Sequence, residues 1–362
     1  MDNGKLSETD VTTKTIHLDN SVRDLFKNSK GETVTIVEKD SKCQFSFKVK
    51  KGQLIQENSN KNKKKTLKDK DKDFFNLFVL EKGDEIIINH GDGNGCFDVE
   101  IKEKTGQNVV SMDEHEKEKL IDVISKTYTS IKNEYNRIFN TEQYLPTKAS
   151  RYSINGFTER NLTFNFCHSY LDLMKQEHEE ESSNAIVWQE VPINNTNGEH
   201  IDSIIIDKDN NWVIYLEAKR FYDIHHFKYL LDDLKRIKKK HSDIPLPYDP
   251  NSKSPLKKVV ILLADHIYDG KKENEKDFYN KFFTGQKNYK LPEIDEKKYP
   301  NLKKILPSMI EAAKITTISN KIPDNSPDIT IERGKKYNID IKDNIVYSIY
   351  CGVYFIDGTK KK

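Results

Sequence analysis

Two acids and a lysine, Asp202, Glu217 and Lys219, stand where a short hairpin brings them together. Residues 199–207 and 212–219 are rich in β-branched and aromatic side chains. Between them lies Lys208-Asp209-Asn210-Asn211, a cluster that tolerates the left-handed backbone of tight turns. A symmetric closure pairs Asp207 with Trp212, and the same register sets Asp202 opposite Glu217. Directly opposed side chains lie roughly 4.5 to 5.5 Å apart at Cβ, so two carboxylates there repel, and a divalent cation between them removes the penalty. Lys219, two residues beyond Glu217, returns to the same face of the strand. Magnesium takes oxygen ligands, keeps several waters and is held by one or two carboxylates in phosphate chemistry. A lysine beside it orients or activates the attacking water and offsets charge on a phosphorane-like transition state.

The surrounding pattern suits that chemistry. Thr158-Glu159-Arg160-Asn161 opens a run with Leu162, Phe166, Tyr170, Leu173 and Met174 at helical spacing. Glu159 falls in the first turn, where an acid suits the positive helix end. Ala185–Pro192 is a strand candidate ending at proline, with Gln189 and Glu190 as supporting polar residues. After Lys219, Asp223 is placed to cap a helix with Phe227, Leu230, Leu231, Leu234 and Ile237 on one face. That helix ends in Lys238-Lys239-Lys240, either a solvated terminus or a set of phosphate contacts. Val259–Ala264 is a continuous apolar run of the kind buried on both faces.

Asp202 followed by Glu217-Ala218-Lys219 resembles the core motif of the PD-(D/E)xK nuclease superfamily, over roughly residues 155–265. Ile201 stands where the motif's proline would be. The resemblance implies an α/β fold with an αβββαβ restriction-endonuclease-like core and a mixed sheet. It further implies an Mg²⁺-dependent DNA endonuclease of the type II restriction kind, with Mn²⁺ as substitute metal and a 5′-phosphate product. In that reading Asp202 and Glu217 hold the metal, Glu159 brings the extra carboxylate, and Lys219 positions the water. The alternatives are a modification-dependent or repair nuclease with the same site, a catalytically inactive DNA-binding protein, or surface acids on an ordinary hairpin.

Rival chemistries have weaker support. Cys43, Cys96, Cys167 and Cys351 lack paired zinc spacing, and His225-His226 reads as a surface doublet at a helix start. Gly91-Asp92-Gly93-Asn94-Gly95 has no following lysine and reads as a hairpin turn. No serine elbow, kinase loop or P-loop is present. The 362 residues suffice for two domains, 33% are charged, and the net charge of +2 argues against a nucleic-acid packager. Basic islands at Lys61–Lys65 and Lys238–Lys240 contrast with an acidic run at Glu177–Glu181. No apolar run reaches membrane length, no secretory pattern opens the chain, and scattered cysteines suit a reducing, cytoplasmic setting.

Three parts are expected: residues 1–107, 108–147 and 148–362. In the first, short strands at 33–37, 44–49, 53–55, 85–88 and 96–101 imply a smaller, mostly-β barrel. Their order, with Ser21–Phe26 before and Asp73–Glu85 between them, resembles B3-like DNA-binding pseudobarrels. That implies recognition of double-stranded DNA, against a protein-binding or scaffold barrel. The lysine-rich stretch Asn58–Lys72 reads as a loop beside the ligand. Ser111-Met112-Asp113-Glu114 has the form of a capping box ahead of Leu120, Ile124, Ile131, Tyr135 and Ile138 at three-four spacing. This long helix is a spacer, a packing element or a homodimer surface. Strands at 329–331, 338–341 and 346–355 extend the sheet or form an appendage.

Overall fold

A computed structural model describes residues 15–17, 26, 33–39, 41–50, 53–56, 74–80, 84–90, 96–102, 110–141, 159–177, 184–193, 199–241, 244, 256–268, 273–283, 286, 288–297, 299–313, 316–317, 328–331 and 345–356. The chain forms two compact units, Met1–Thr105 with Glu293–Ala312, and Gly106–Pro292 with Ala313–Lys362. Both are mixed α/β, and one of the two sheets curls as a half-barrel. The expectations for 21–25, 58–72, 91–95 and 338–341 lie outside the described residues.

In the first unit, alternation of apolar and polar residues builds six strands: β1 (Thr15–His17), β2 (Thr33–Glu38), β3 (Gln44–Lys50), β4 (Gln53–Gln56), β5 (Glu85–His90) and β6 (Cys96–Lys102). They join in the order β1-β4-β3-β2-β6-β5, with β2 and β6 parallel. Val34, Ile36, Phe45, Phe47, Ile86, Ile88, Phe97 and Val99 share one buried core. A single helical turn, α1 (Phe74–Leu77), drives Phe74 into it, 5.1 Å from the Phe45 ring and 5.7 Å from that of Phe47. The division at 148–362 places residues 293–312 with the C-terminal part, yet they cluster with this unit. Helix Leu302–Ala313 contributes Ile305 to the same core, and Cys43 Sγ lies 3.9 Å from the Asn301 carbonyl oxygen.

The second unit starts with α2 (Glu114–Thr141). Its reciprocal cap is Asp113 with Glu116, not Ser111 with Glu114. The Glu116 N–H donates to Asp113 Oδ1 and the Asp113 N–H to Glu116 Oε2, both at 2.9 Å. The cap moves because Asp113 also begins an acid-x-x-acid frame, and an aspartate accepts from the N3 N–H as well as a serine does. Leu120, Ile124, Ile131 and Tyr135 then enter the unit's core, so this helix is a packing element. There follow α3 (Glu159–Glu177), β7 (Ala185–Pro192), β8 (His200–Asp207), β9 (Trp212–Phe221), α4 (Ile224–Lys240), β10 (Lys257–Tyr268), α5 (Glu273–Phe283), β11 (Thr316–Thr317), β12 (Asp328–Ile331) and β13 (Ile345–Phe355).

The sheet order is β11-β13-β10-β9-β8-β7, with β12 on β13; β9 and β10 are parallel and the other pairs antiparallel. The two faces of β9 part company. Trp212, Ile214, Leu216 and Ala218 pack with Leu162, Phe166 and Tyr170 of α3, while Phe221 meets Phe227 of α4 at 5.8 Å. Asp223 caps α4 by accepting from the His225 N–H at 3.0 Å, and the helix buries the expected Phe227, Leu230, Leu231, Leu234 and Ile237. His225 corrects the expectation of a surface doublet: it is buried, because it follows the cap on the inward face. The lysine run is held by the protein, Lys238 over the Tyr354 ring at 4.7 Å and Lys240 on Glu199 at 2.8 Å. No described helix is long and apolar enough to cross a membrane.

Candidate active site

The hairpin turn forms as its residues require. Asn211 takes φ +61°, and Asp207 accepts from the Asn210 N–H at 2.9 Å and from the Tyr170 hydroxyl at 2.5 Å. Pairing runs from Asp207 and Trp212 to Ser203 and Leu216, and ends one step before Asp202 and Glu217. The N–H groups that β9 next turns toward β8 are taken by side chains. Asp202 Oδ2 accepts from Ala218 N and Glu159 Oε1 from Arg220 N, each at 2.8 Å. Two expected site residues, from β8 and from the first turn of α3, therefore line the opened edge of β9.

The other side of β8 is distorted at the same level. β7 pairing skips from Gln189 and Ser203 to Val191 and Ile201, leaving Glu190 beside Asp202 with φ +51°. A non-glycine residue in that region costs on the order of 1–3 kcal/mol and persists where its surroundings over-determine it. Here Glu190 is tied to Arg160 Nε at 3.0 Å and His200 Nε2 at 2.9 Å. Asp202 thus stands in a gap of regular pairing on both flanks, which frees its carboxylate from the pleat.

Glu217 and Lys219 face α4. Lys219 Nζ lies 3.0 Å from Asp233 Oδ2, and Arg236 Nη2 contacts Glu217 Oε1 at 2.9 Å, Asp233 Oδ1 at 3.0 Å and the His200 carbonyl at 3.3 Å. On the opposite face of β9, Arg220 grips Asp265 of β10 through Nε at 3.0 and 3.1 Å and Nη2 at 2.5 Å, with both side chains buried. Asp233, Arg236 and Asp265 were not among the expected site residues. In the sequence, Asp233 and Arg236 read only as charges flanking Leu230, Leu234 and Ile237, and Asp265 as an acid ending the apolar run Val259–Ala264.

Charge and burial set the protonation states. Burial pushes the Glu217 carboxyl well above the usual carboxylate range, Asp233 and Asp202 add to the rise, and Arg236 and Lys219 oppose it. Glu159 is raised by burial too, against the pull of the Arg220 N–H and Lys219. Burial alone would lower Lys219, but Asp233, Glu217, Asp202 and Glu159 outweigh it and hold the side chain as an ammonium. All four expected residues therefore share one electrostatic environment.

Among the described residues no three His, Cys, Asp or Glu side chains stand in metal-binding range of one another. The oxygen donors present are of the type a hard cation takes. Magnesium is commonly held by one or two carboxylates with water and phosphate, and Asp202, Glu159, Glu217 and Asp233, when ionised, exceed Lys219 and Arg236 by two negative charges. Comparison of the chain with protein-family models, characterised proteins and solved structures returned no match.

Proposed function

We propose that this chain is an Mg²⁺-dependent endodeoxyribonuclease built on a PD-(D/E)xK-like core. The observation that carries the reading is the opened edge of β9. Two acids from separate elements accept from the Ala218 and Arg220 N–H groups there, beside Glu217 and Lys219 of the same strand. The element order helix, three strands, helix, strand and the parallel β9–β10 pair support the same reading.

Asp202 and Glu217 would hold the metal, with Glu159 assisting; when bound, Mg²⁺ supplies charge neutralisation at the scissile phosphate and lowers the pKa of its water. The chain's own residues do the rest. The Asp202 carboxylate is oriented by the Ala218 N–H and that of Glu159 by the Arg220 N–H, so neither has to reorganise during reaction. Lys219, fixed as a cation by its acidic neighbours, orients the attacking water and offsets charge on the transferring phosphoryl; it does not abstract a proton. In-line attack of that water on phosphorus would break the P–O3′ bond, leaving a 5′-phosphate and a 3′-hydroxyl, the leaving oxygen gaining a proton and the water's own proton passing to bulk solvent. Sequence recognition of duplex DNA is assigned to the N-terminal sheet unit by its resemblance to B3-like domains.

The test is nicking of supercoiled plasmid by the full chain in Mg²⁺, with EDTA as control. Cleavage is expected in Mg²⁺ alone, falling by about 10²–10³ in Lys219→Ala, the loss typical of one electrostatic stabiliser. Cleavage that survives EDTA, or that is unchanged in both Asp202→Asn and Lys219→Ala, rejects the reading.

A further inference from the structure

Arg236 and Arg220 are both inward-facing arginines on acidic partners, yet they are bound in different ways. Arg220 meets Asp265 through two nitrogens and three short contacts, the forked geometry of a fixed pair. Arg236 gives one nitrogen, Nη2, to Glu217 Oε1, Asp233 Oδ1 and the His200 carbonyl, while its buried Nε finds no hydrogen-bond acceptor among the described residues. A guanidinium shared among three acceptors through one nitrogen loses little when one leaves, because the other two still hold it. Glu217 is differently placed: its carboxylate is 1% exposed and, if Arg236 left and nothing replaced it, would keep as a nearby cation only Lys219, which Asp233 already holds at 3.0 Å.

We propose that Arg236 is an exchangeable counter-ion for Glu217, occupying that carboxylate until a divalent cation takes its place and keeping its hold on Asp233 and the His200 carbonyl afterwards. This rests on the metal-site reading given above and names the regulation of that site. The metal and Arg236 compete for Glu217, so the arginine lowers the apparent affinity for the metal; in return the buried acid is neutralised when no metal is present. Arg236 is a positioning residue, acting through Glu217.

The experiment is Mn²⁺ binding to the full-length protein, by electron paramagnetic resonance of the free ion, alongside thermal denaturation in EDTA and in saturating Mn²⁺. Arg236→Gln is expected to bind Mn²⁺ about tenfold more tightly than the parent chain, a difference of 1.4 kcal/mol. It should melt earlier in EDTA and recover most of that loss in Mn²⁺. Arg236→Lys, which keeps the charge but not the reach, is expected between the two and serves if the glutamine variant does not fold without metal. Glu217→Gln should lose Mn²⁺ binding. Loss of binding there, together with unchanged or weaker affinity in the Arg236 variants, overturns the exchange and leaves the metal site standing. Parental affinity in Glu217→Gln overturns the metal-site reading and the exchange with it.

Discussion

Glu217 is asked for two incompatible things, to be buried and to be ionised. Its folded-state carboxyl is raised by burial and by Asp233 and Asp202, so folding favours the protonated form. The sign follows from linkage: stability from this group is fully present below the unfolded carboxylate pKa and is lost as pH rises through the folded one. In metal-free buffer at pH 7–8, Glu217→Gln should therefore melt above the parent chain while losing cleavage, and a lower melting temperature there would contradict the buried-charge account. Cleavage should also fall, as pH is lowered, at a higher pH than an ordinary carboxylate would impose, which a pH–rate profile in Mg²⁺ checks. Asp265 is the structural counterpart. Asp265→Ala breaks the forked, buried pair with Arg220 and is expected to cost about 3–5 kcal/mol in chemical denaturation. Asp202, Glu217 and Lys219 were legible because strand alternation and a turn rich in Asp and Asn leave few registers open. Asp233 and Arg236 were not. In a sequence, Asp232-Asp233-Leu234-Lys235-Arg236 is indistinguishable from a solvated helix flank until the neighbouring strand is known to present an acid and an amine to it.

Helix α4 is the element on which the site leans, since it carries Asp233 and Arg236, and its start is secured by Asp223. Burial alone would raise Asp223, but hydrogen bonds from His226 and the His225 N–H and the charge of both histidines draw it down to about 2. A depressed carboxylate stabilises above its unfolded pKa, and that stability disappears as pH falls through about 2. Asp223→Ala should cost about 1 kcal/mol at neutral pH, as helix N-caps do. The difference between variant and parent should shrink between roughly pH 4 and 2 in denaturation curves. If it stays constant, the cap does not act through its charge. The helix itself was legible from its apolar period and its aspartate. The end of the β8–β9 ladder was not, because the register that closes at Asp207 and Trp212 continues on paper to Asp202 and Glu217. Where it ends, Asp202 and the distant Glu159 take the Ala218 and Arg220 N–H groups and Glu190 stands in the left-handed region, and none of this is visible in a local pattern.

At the scale of the molecule, residues 293–312 belong with Met1–Thr105 although a long stretch of chain separates them. Ile305 is 2% exposed in the core of that unit, so Ile305→Ala is expected to destabilise the protein by about 2–5 kcal/mol, read as an earlier transition in urea. An unchanged transition would mean that the helix is a surface attachment. Strands β2 to β6 were legible from near-alternation and β10 from its continuous apolar run, whereas β1, β11 and this docking were not, since burial against a remote segment leaves no period in the sequence. The second sheet has the same dependence on distance: β13 forms a ten-residue ladder with β10, from Val259 with Phe355 to Tyr268 with Val346, and every other strand of the sheet precedes it in the chain. A polypeptide emerging from the ribosome would therefore display β10 with one bare edge until Ile345–Phe355 follows, and the core of the first unit would lack Ile305 until helix Leu302–Ala313 follows. A chain broken off before Ile345 would carry Asp202, Glu217 and Lys219 on a sheet with one edge of β10 bare, and a cell's quality control would meet it in that form.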